Sequence, residues 1–293
     1  MRVITTVQEM IDVRATWTAT QSVGLVPTMG YLHTGHLSLV HQARMENDIL
    51  LVSIFVNPTQ FGPHEDLMHY PRDLPRDLEM LEACGVDAVF VPTPADMYPP
   101  DFATYVEPTG LLVTGAEGAS RPGHFRGVAT VVLKLFLISR PQQAYFGQKD
   151  AQQVAVITRM LDDLNLPIIL RRLPTIREAD GLAMSSRNAY LTPSARTAAI
   201  VLYRALLAGK QAFDSANTTD PHDVVRAMQQ VVANEPEATL DYAEMRDPYT
   251  FLPLERLRVP ALLLIAVSLG STRLIDNFWL QRDGMWNIGT RQE

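Results

Sequence analysis

The chain has 293 residues, of which 47% are hydrophobic, and its formal net charge is −7 at pH 7. A chain of this length builds one large core or, by the usual size of domains, two domains. The negative charge argues against nucleic acid or an anionic membrane as the main partner, because both need a basic surface. The single cysteine, Cys84, excludes an internal disulfide framework and a thiolate zinc cluster.

The N-terminus has no apolar segment of the signal-peptide kind. The longest purely apolar run, 261–267, is too short to cross a bilayer. We therefore expect a cytoplasmic protein without a membrane partner.

From residue 22 onward, apolar runs typical of strands alternate with helical patterns. This alternation indicates parallel strands joined by right-handed helical crossovers, and strands that are apolar throughout are buried on both faces. Residues 93–123, rich in proline and glycine, depart from the pattern. The predicted strands are 22–27, 49–56, 87–92, 143–147 and 167–176, and the predicted helices are 35–46, 73–84, 127–138 and 150–164.

The pattern changes after the loop READGLAMSSRN, residues 177–188. Predicted helices near 193–213 and 221–233 lead into strands at 240–247 and 260–276 without further βα units. We therefore predict an α/β protein with two domains. Residues 1–177 form a Rossmann-like doubly wound parallel sheet, and residues 178–293 form a smaller C-terminal α+β domain.

A pair of histidines, His33 and His36, lies where the first of these strands gives way to a helix. The first turn of a helix leaves N–H groups unpaired and carries a partial positive charge, so it attracts phosphate. Gly30 and Gly35 allow the backbone to approach a ligand closely. Taken alone, this HxxH pair is explained equally well as two partly exposed polar residues and as part of a phosphate site.

Three further predicted strands also end in polar residues, at the sheet edge where doubly wound folds bind ligands. Together, the imidazole, ammonium, guanidinium and hydroxyl groups are donors suited to a polyphosphate. The neutral amides suit a hydroxy acid. These three strand ends deliver Asn57 and Gln60, then Gly147, Lys149, Asp150 and Gln153, and finally Met184, Ser185, Ser186 and Arg187.

Several other chemistries lack their motifs in this chain. There is no GxxxxGK[ST] loop, no GxGxxG after the first of these strands and no GxSxG elbow. The histidine pair has neither an attached glutamate nor a third clear ligand, which disfavours a zinc hydrolase.

HTGH resembles the HxGH signature of the nucleotidyltransferase superfamily, and AMSSRN resembles its KMSKS-like signature. More narrowly, seven segments between residues 3 and 279 resemble the pantoate–β-alanine ligase family. They are PTMGYLHTGH, SIFVNPTQFGP, YPRDLPRDLE, RPGHFRGV, FGQKDAQQ, READGLAMSSRNAYL and GSTRLIDN.

This resemblance implies a two-step reaction. Pantoate attacks the α-phosphate of ATP to give pantoyl adenylate and pyrophosphate, and β-alanine then attacks the activated carbonyl to give pantothenate and AMP. The resemblance also implies Mg2+ on the phosphates and a homodimer. The tail after about Leu280 lies outside it.

The resemblance assigns ATP binding to residues of four segments, and among them His36, His33 and Lys149 are the catalytic candidates. The ATP-binding residues so implied are Met29, Gly30, Tyr31, Leu32, His33, Thr34, Gly35, His36, Gly147, Gln148, Lys149, Asp150, Ile176, Met184, Ser185, Ser186 and Arg187.

Asn57, Gln60 and Gln153 are implied to bind pantoate or β-alanine, and Asp77 is a candidate magnesium contact. The chain departs from the family pattern nearby. Arg76 precedes Asp77 where many relatives have two adjacent acids, and in a second segment Gln148 replaces the usual glutamate and Ala151 a common aromatic residue.

Two other interpretations share the HTGH site. One is a nucleotidyltransferase that acts on another small acid or alcohol and needs no β-alanine. The other is a non-catalytic nucleotide-binding protein, whose expected mark is the loss of a cation at the phosphate site.

Overall fold

The structure is a computed structural model that describes residues 1–63, 65–215 and 220–292. The helices are α1 Val7–Thr16, α2 Thr34–Glu46, α3 Leu74–Ala83, α4 Pro94–Met97, α5 Glu117–Ser120, α6 His124–Ser139, α7 Ala151–Asp163, α8 Pro193–Ala198, α9 Val201–Asp214 and α10 Pro221–Ala233. The strands are β1 Arg2–Ile4, β2 Val23–Thr28, β3 Ile49–Ile54, β4 Ala88–Phe90, β5 Gln143–Gly147, β6 Ile169–Leu173, β7 Ile176–Arg177, β8 Ala238–Arg246, β9 Ala261–Leu269, β10 Thr272–Leu280, β11 Trp286–Asn287 and β12 Thr290–Arg291.

The chain divides into two compact units. Unit 1 consists of residues 1–109, 121–147 and 156–173, and unit 2 consists of residues 110–120, 148–155 and 174–293. The boundary between residues 177 and 178 stays a prediction. No helix among the described residues is long and apolar enough to cross a membrane.

Unit 1 is built on a six-stranded parallel sheet with the order β1-β4-β3-β2-β5-β6. From β2 the chain adds β3 and β4 on one side, and it later returns to place β5 on the other side of β2. The strand order therefore switches direction between β2 and β5. In doubly wound sheets, ligands bind at this point, beyond the carboxyl ends of the strands.

The apolar runs predicted the central strands of this sheet. Five of six residues are buried in both β2 and β3, as expected for strands covered on both faces. The edge strand β6 differs, since Ile169 is 55% exposed and the strand carries Arg171 and Arg172. The other edge strand, β1, has three residues and was not predicted, because so short a segment shows no periodicity.

Unit 2 contains an antiparallel sheet with the order β11-β10-β9-β8. Helices α8, α9 and α10 share its core, in which Leu202, Leu206, Met228, Leu263 and Val267 are at most 1% exposed. The predicted run 260–276 is in fact a hairpin of two strands that turns at Gly270, where φ is +59°. Glycine adopts this left-handed conformation without the cost that a side chain would add.

Two predicted elements are each divided in the structure. The predicted helix 193–213 is wrong as one element, because α8 ends at Ala198 and α9 begins at Val201. The predicted strand 167–176 is wrong in the same way. Pro174 has no N–H with which to continue the ladder, and the chain leaves the sheet of unit 1 after Leu173 and pairs again only as β7, in unit 2.

Candidate active site

The two histidines pack against each other at the start of α2. His33 is the residue before the first helical turn, and its Nδ1 accepts the N–H of Gly35 at 3.1 Å. The Nδ1 of His36 accepts the N–H of His33 at 3.3 Å, and the ring centroids are 4.0 Å apart. A neutral imidazole whose Nδ1 accepts a hydrogen bond carries its proton on Nε2. Both rings are therefore set to donate from Nε2.

The loop between β2 and α2 is held by a buried carboxylate. Asp77 on α3 is 1% exposed, and its two oxygens accept the N–H groups of Tyr31 and Leu32, each at 2.7 Å. Burial raises the pKa of Asp77, while the two N–H bonds oppose this shift. Gly30 has a φ of +82°, and a Cβ there would lie 3.1 Å from the same carboxylate. Asp77 thus fixes the backbone that precedes the two histidines.

A chain of side-chain hydrogen bonds orients the predicted pantoate-binding amides of unit 1. The Tyr98 hydroxyl donates to Oδ1 of Asn57 at 2.8 Å, and Nδ2 of Asn57 donates to Oε1 of Gln60 at 2.9 Å. The Nε2 of Gln60 lies 3.5 Å from the sulfur of Met29. The loops that follow β2 and β3 therefore meet, and the amide of Gln60 presents its NH2 group as the donor.

In unit 2, the turn Gln148–Asp150 is fastened to β10 by one asparagine. Nδ2 of Asn277 donates to the carbonyls of Gln148 and Lys149 at 2.9 and 2.8 Å, and its Oδ1 accepts from Nε2 of Gln148 at 2.9 Å. Asn277 and Gln148 are each 2% exposed. The Lys149 ammonium lies 4.0 Å from Asp150, with its side chain 19% exposed. This clamp fixes the backbone that carries Lys149.

The second predicted ATP-binding loop of unit 2 folds back onto β7. The N–H of Met184 donates to the carbonyl of Ile176 at 2.9 Å, which brings these two predicted contacts together. The Ser185 hydroxyl accepts the N–H of Arg187 at 3.3 Å and so begins the short helix Ser186–Tyr190. Ser186 itself is 7% exposed.

The remaining predicted residues occupy expected elements. Gly147 is the last residue of β5, Thr34 is the first residue of α2, and Gln153 lies half-buried in the first turn of α7. Its neighbour Gln152 is buried and donates to the carbonyls of residues 112 and 115, so it is structural. In the part of the chain that the structure describes, no three His, Cys, Asp or Glu residues cluster as metal ligands.

Sequence reasoning missed two supporting residues. Tyr98 lies in the irregular segment 93–123, and nothing in its local pattern ties it to Asn57. Asn277 was present in the segment GSTRLIDN, although the sequence alone did not indicate its contact with residues 148 and 149.

A family model described as pantoate-beta-alanine ligase matches residues 2–279. The chain belongs to this family. Among its relatives, the pantothenate synthetase of Roseiflexus sp. (strain RS-1) is 56% identical over 282 residues, which is 96% of this chain and 100% of the relative. That of Moorella thermoacetica is 55% identical over 260 residues, 89% of this chain and 91% of the relative.

Solved structures of the pantoate–β-alanine ligase family share the fold. Pantothenate synthetase from Thermus thermophilus superposes with a TM-score of 0.90 at 49% identity, covering 94% of this chain and 98% of that one. The ligase from Francisella tularensis, in complex with beta-gamma ATP and beta-alanine, has a TM-score of 0.80 at 35% identity, covering 95% and 97%. The predicted fold class and the predicted ligase activity are thereby confirmed.

Proposed function

We propose that the residues described above carry out the two half-reactions of pantothenate formation, with ATP as the activating substrate. The arrangement of His33 and His36 is the observation that carries this assignment, because both rings lie at a helix start that favours anions and backbone N–H groups hold each ring through its Nδ1. The complex of the Francisella relative with beta-gamma ATP and beta-alanine supports the choice of substrates.

In the first half-reaction, a carboxylate oxygen of pantoate attacks the α-phosphorus of ATP. The new bond is O–P, the bond to the bridging oxygen of the β-phosphate breaks, and pyrophosphate leaves with the electron pair. We assign the developing negative charge to donors on His36, His33, Lys149 and Arg187, because preorganised donors at such a position stabilise the transition state. Gln60 and Gln153 hold pantoate through neutral amides, which adds no charge beside the attacking carboxylate.

In the second half-reaction, the neutral amine of β-alanine attacks the acyl carbon of pantoyl adenylate. A C–N bond forms, the C–O bond to AMP breaks, and the amine loses a proton to give the amide. AMP is a far better leaving group than an oxide ion, so no protein nucleophile is required. Asn57 lies next to Gln60 in the structure and is assigned to substrate binding with it.

The resemblance implies Mg2+, which we tested against the donor groups. Both oxygens of Asp77 already accept backbone N–H groups, and the described residues offer no cluster of three His, Cys, Asp or Glu ligands. The described residues therefore supply no magnesium site made of protein ligands alone, and Mg2+ would bind mainly through the phosphates of ATP. We therefore assign no step to a protein-bound metal, and the contact between Asp77 and magnesium stays a prediction.

The chain's cellular location and assembly are part of the same proposal. A cytoplasmic location agrees with the use of ATP, and subcellular fractionation tests it. A homodimer follows from the family resemblance and is tested by the mass in solution.

The test uses purified protein with ATP, Mg2+ and pantoate, with and without β-alanine, and measures AMP and pantothenate. We expect pantothenate and AMP in equal amounts only when β-alanine is present. AMP without an amide product under full conditions contradicts the ligase assignment. Repeated turnover that releases pyrophosphate without any need for β-alanine favours a nucleotidyltransferase. ATP binding without any turnover favours a non-catalytic nucleotide-binding protein.

A further inference from the structure

Residues 286–292, called the C-terminal segment below, form strands although they lie beyond the residues that the family model matches. Strand β12 in this segment pairs in parallel with β7. The N–H of Thr290 donates to the carbonyl of Thr175 at 2.8 Å, and the N–H of Gln292 donates to the carbonyl of Arg177 at 3.0 Å. The segment thus occupies one whole edge of β7.

The opposite edge of β7 holds the loop that carries predicted ATP contacts. The carbonyl of Ile176, between the two carbonyls used by β12, accepts the N–H of Met184 at 2.9 Å. Arg177 and Ala183 also form an antiparallel bridge. A strand of two residues has little stability of its own, so its position depends on what pairs with its edges. The C-terminal segment and the loop therefore share β7 as a common support.

The buried guanidinium of Arg177 provides a second link between β7, the loop that carries the predicted ATP contacts and the C-terminal segment. The Arg177 side chain is 1% exposed and pairs with the carboxylate of Asp276 through two bonds of 2.6 and 2.9 Å. Its remaining donor capacity goes to three carbonyls, one of which is the carbonyl of Asn277, 3.4 Å from Nη2. Nη1 donates to Gly181 of the loop at 3.0 Å, and Nε donates to Ile288 of the C-terminal segment. A buried ion pair is stable only when its other hydrogen-bonding groups are satisfied. Displacing the segment leaves Nε without its acceptor and disturbs the guanidinium that also holds the loop.

We propose that the C-terminal segment is a positioning element for nucleotide binding, which holds Ile176 and the loop Met184–Arg187 in place for ATP. The inference rests on the proposed assignment of these residues to ATP. None of the segment's residues needs to touch the nucleotide. Its loss is expected to weaken ATP binding selectively, while the Michaelis constant for pantoate stays unchanged.

The sharpest test is Gly289→Ala, with Gly284→Ala as its matched control. Both glycines have left-handed φ values, +86° and +82°. A Cβ at Gly289 would lie 2.4 Å from the Thr175 carbonyl oxygen and 2.8 Å from Nε of Arg177, whereas a Cβ at Gly284 meets nothing within 4 Å. Both substitutions therefore carry the cost of placing alanine at a left-handed φ, and only Gly289→Ala also forces β12 away from β7.

For Gly289→Ala we expect the Michaelis constant for ATP to rise by about tenfold or more, since misplacement of a site by ~1 Å can cost up to ~10²-fold. For Gly284→Ala we expect less than about a twofold change. The second readout is hydrogen exchange in peptides covering residues 182–187, together with ATP affinity by calorimetry. Exchange should be faster in Gly289→Ala than in Gly284→Ala, because the Met184 N–H depends on a fixed β7.

A milder pair of variants tests the same idea if Gly289→Ala does not fold. The Arg291 guanidinium donates to the Tyr203 hydroxyl at 3.1 Å and anchors the C-terminal segment, while Arg282 stacks on Tyr249 outside the segment. Arg291→Ala should raise the Michaelis constant for ATP and speed exchange at residues 182–187, and Arg282→Ala should do neither.

The outcomes separate this inference from the proposed function. Unchanged exchange at residues 182–187 in both Gly289→Ala and Arg291→Ala overturns the positioning role, whatever the kinetics. Faster exchange with unchanged ATP affinity overturns the link to nucleotide binding. Arg187→Ala distinguishes a failure of the positioning role from a failure of the assignment of the loop to ATP. If this variant also leaves ATP affinity unchanged, the assignment of the loop to ATP has failed, whereas a large loss there limits the failure to the C-terminal segment.

Discussion

At the scale of single residues, the site depends on which atom of each side chain is already engaged. Nδ1 of His33 and Nδ1 of His36 both accept backbone N–H groups, which places the donor proton of each ring on Nε2. The side chain of Asp77 is engaged in a similar way, because each of its oxygens accepts a backbone N–H of the loop before the histidines. Each of these engagements can be tested by a single substitution.

Replacing His36 by alanine should slow formation of pantoyl adenylate by a barrier of about 2.7 to 4 kcal/mol, the range for loss of one preorganised donor. Single-turnover kinetics with ATP and pantoate measure this step. Supplied with ready-made pantoyl adenylate, His36→Ala should join β-alanine at a rate near that of the unaltered enzyme, because no triphosphate takes part. His41→Ala, on the exposed side of the same helix, is the control. Equal losses in both half-reactions would assign His36 to folding or to the pantoyl pocket.

Asp77→Asn should lower kcat/KM for ATP by roughly 10²-fold, because an amide NH2 then faces a backbone N–H and the loop moves. An unmet buried donor costs about 1–3 kcal/mol of folding stability, measurable by urea unfolding. The control is Asp73→Asn, since asparagine also caps a helix well. If Asp77 holds the loop, the Mg2+ concentration for half-maximal activity stays unchanged. A marked increase in that concentration supports a metal contact instead.

Tyr98→Phe should raise the Michaelis constant for pantoate by several-fold and leave that for ATP unchanged. The reason is the loss of one of three donors to Oδ1 of Asn57, the other two being the N–H and the hydroxyl of Thr59, and a neutral hydrogen bond contributes about 0.5–1.5 kcal/mol. Steady-state kinetics with each substrate varied provide the measurement, and Tyr105→Phe is the control. Equal changes for both substrates would show a general loss of structure.

At the scale of elements, the turn Gln148–Asp150 depends on strand β10. Asn277 offers Oδ1 as an acceptor at 2.9 Å from Nε2 of Gln148, so a donor is needed at position 148. The glutamine that departs from the family pattern meets this need in this chain. An ionised glutamate would instead place a carboxylate oxygen against the acceptor Oδ1 of Asn277 in a buried environment.

Gln148→Glu should therefore destabilise the fold by about 1–3 kcal/mol at pH 8. Burial raises the pKa of such a carboxyl, so its penalty is present above the unfolded pKa of about 4.3 and shrinks as the pH falls toward that value. Urea unfolding at pH 8 and pH 5 measures the difference. Gln229→Glu, on the exposed face of α10, should show neither effect. A stability loss independent of pH would contradict the explanation.

At the scale of the whole molecule, we expect a homodimer. Light scattering at micromolar concentration should give twice the chain's mass of 32.7 kDa. The same measurement at several dilutions indicates how tightly the two copies associate. A mass near 32.7 kDa throughout would contradict the dimer.

The sequence by itself determined the parallel α/β class, the central strands and the family. Residues 23–28 and 49–54 are apolar apart from Thr28 and Ser53, and a nearly continuous apolar run indicates a strand buried on both faces. The histidine pair was located for the same reason, since a strand and a helix on either side can be read from neighbouring residues.

The tertiary structure alone decided which groups hold the site in place. Asp77 reaches across 45 residues of chain to Leu32, and Asn277 across 129 residues to Gln148. Neither partner is implied by any periodicity. The pairing of β12 with β7 was hidden for a further reason, because strands of two residues are too short to show a pattern. Local sequence determines which segments become buried, whereas hydrogen-bond partners far apart along the chain are fixed only when packing brings their elements together.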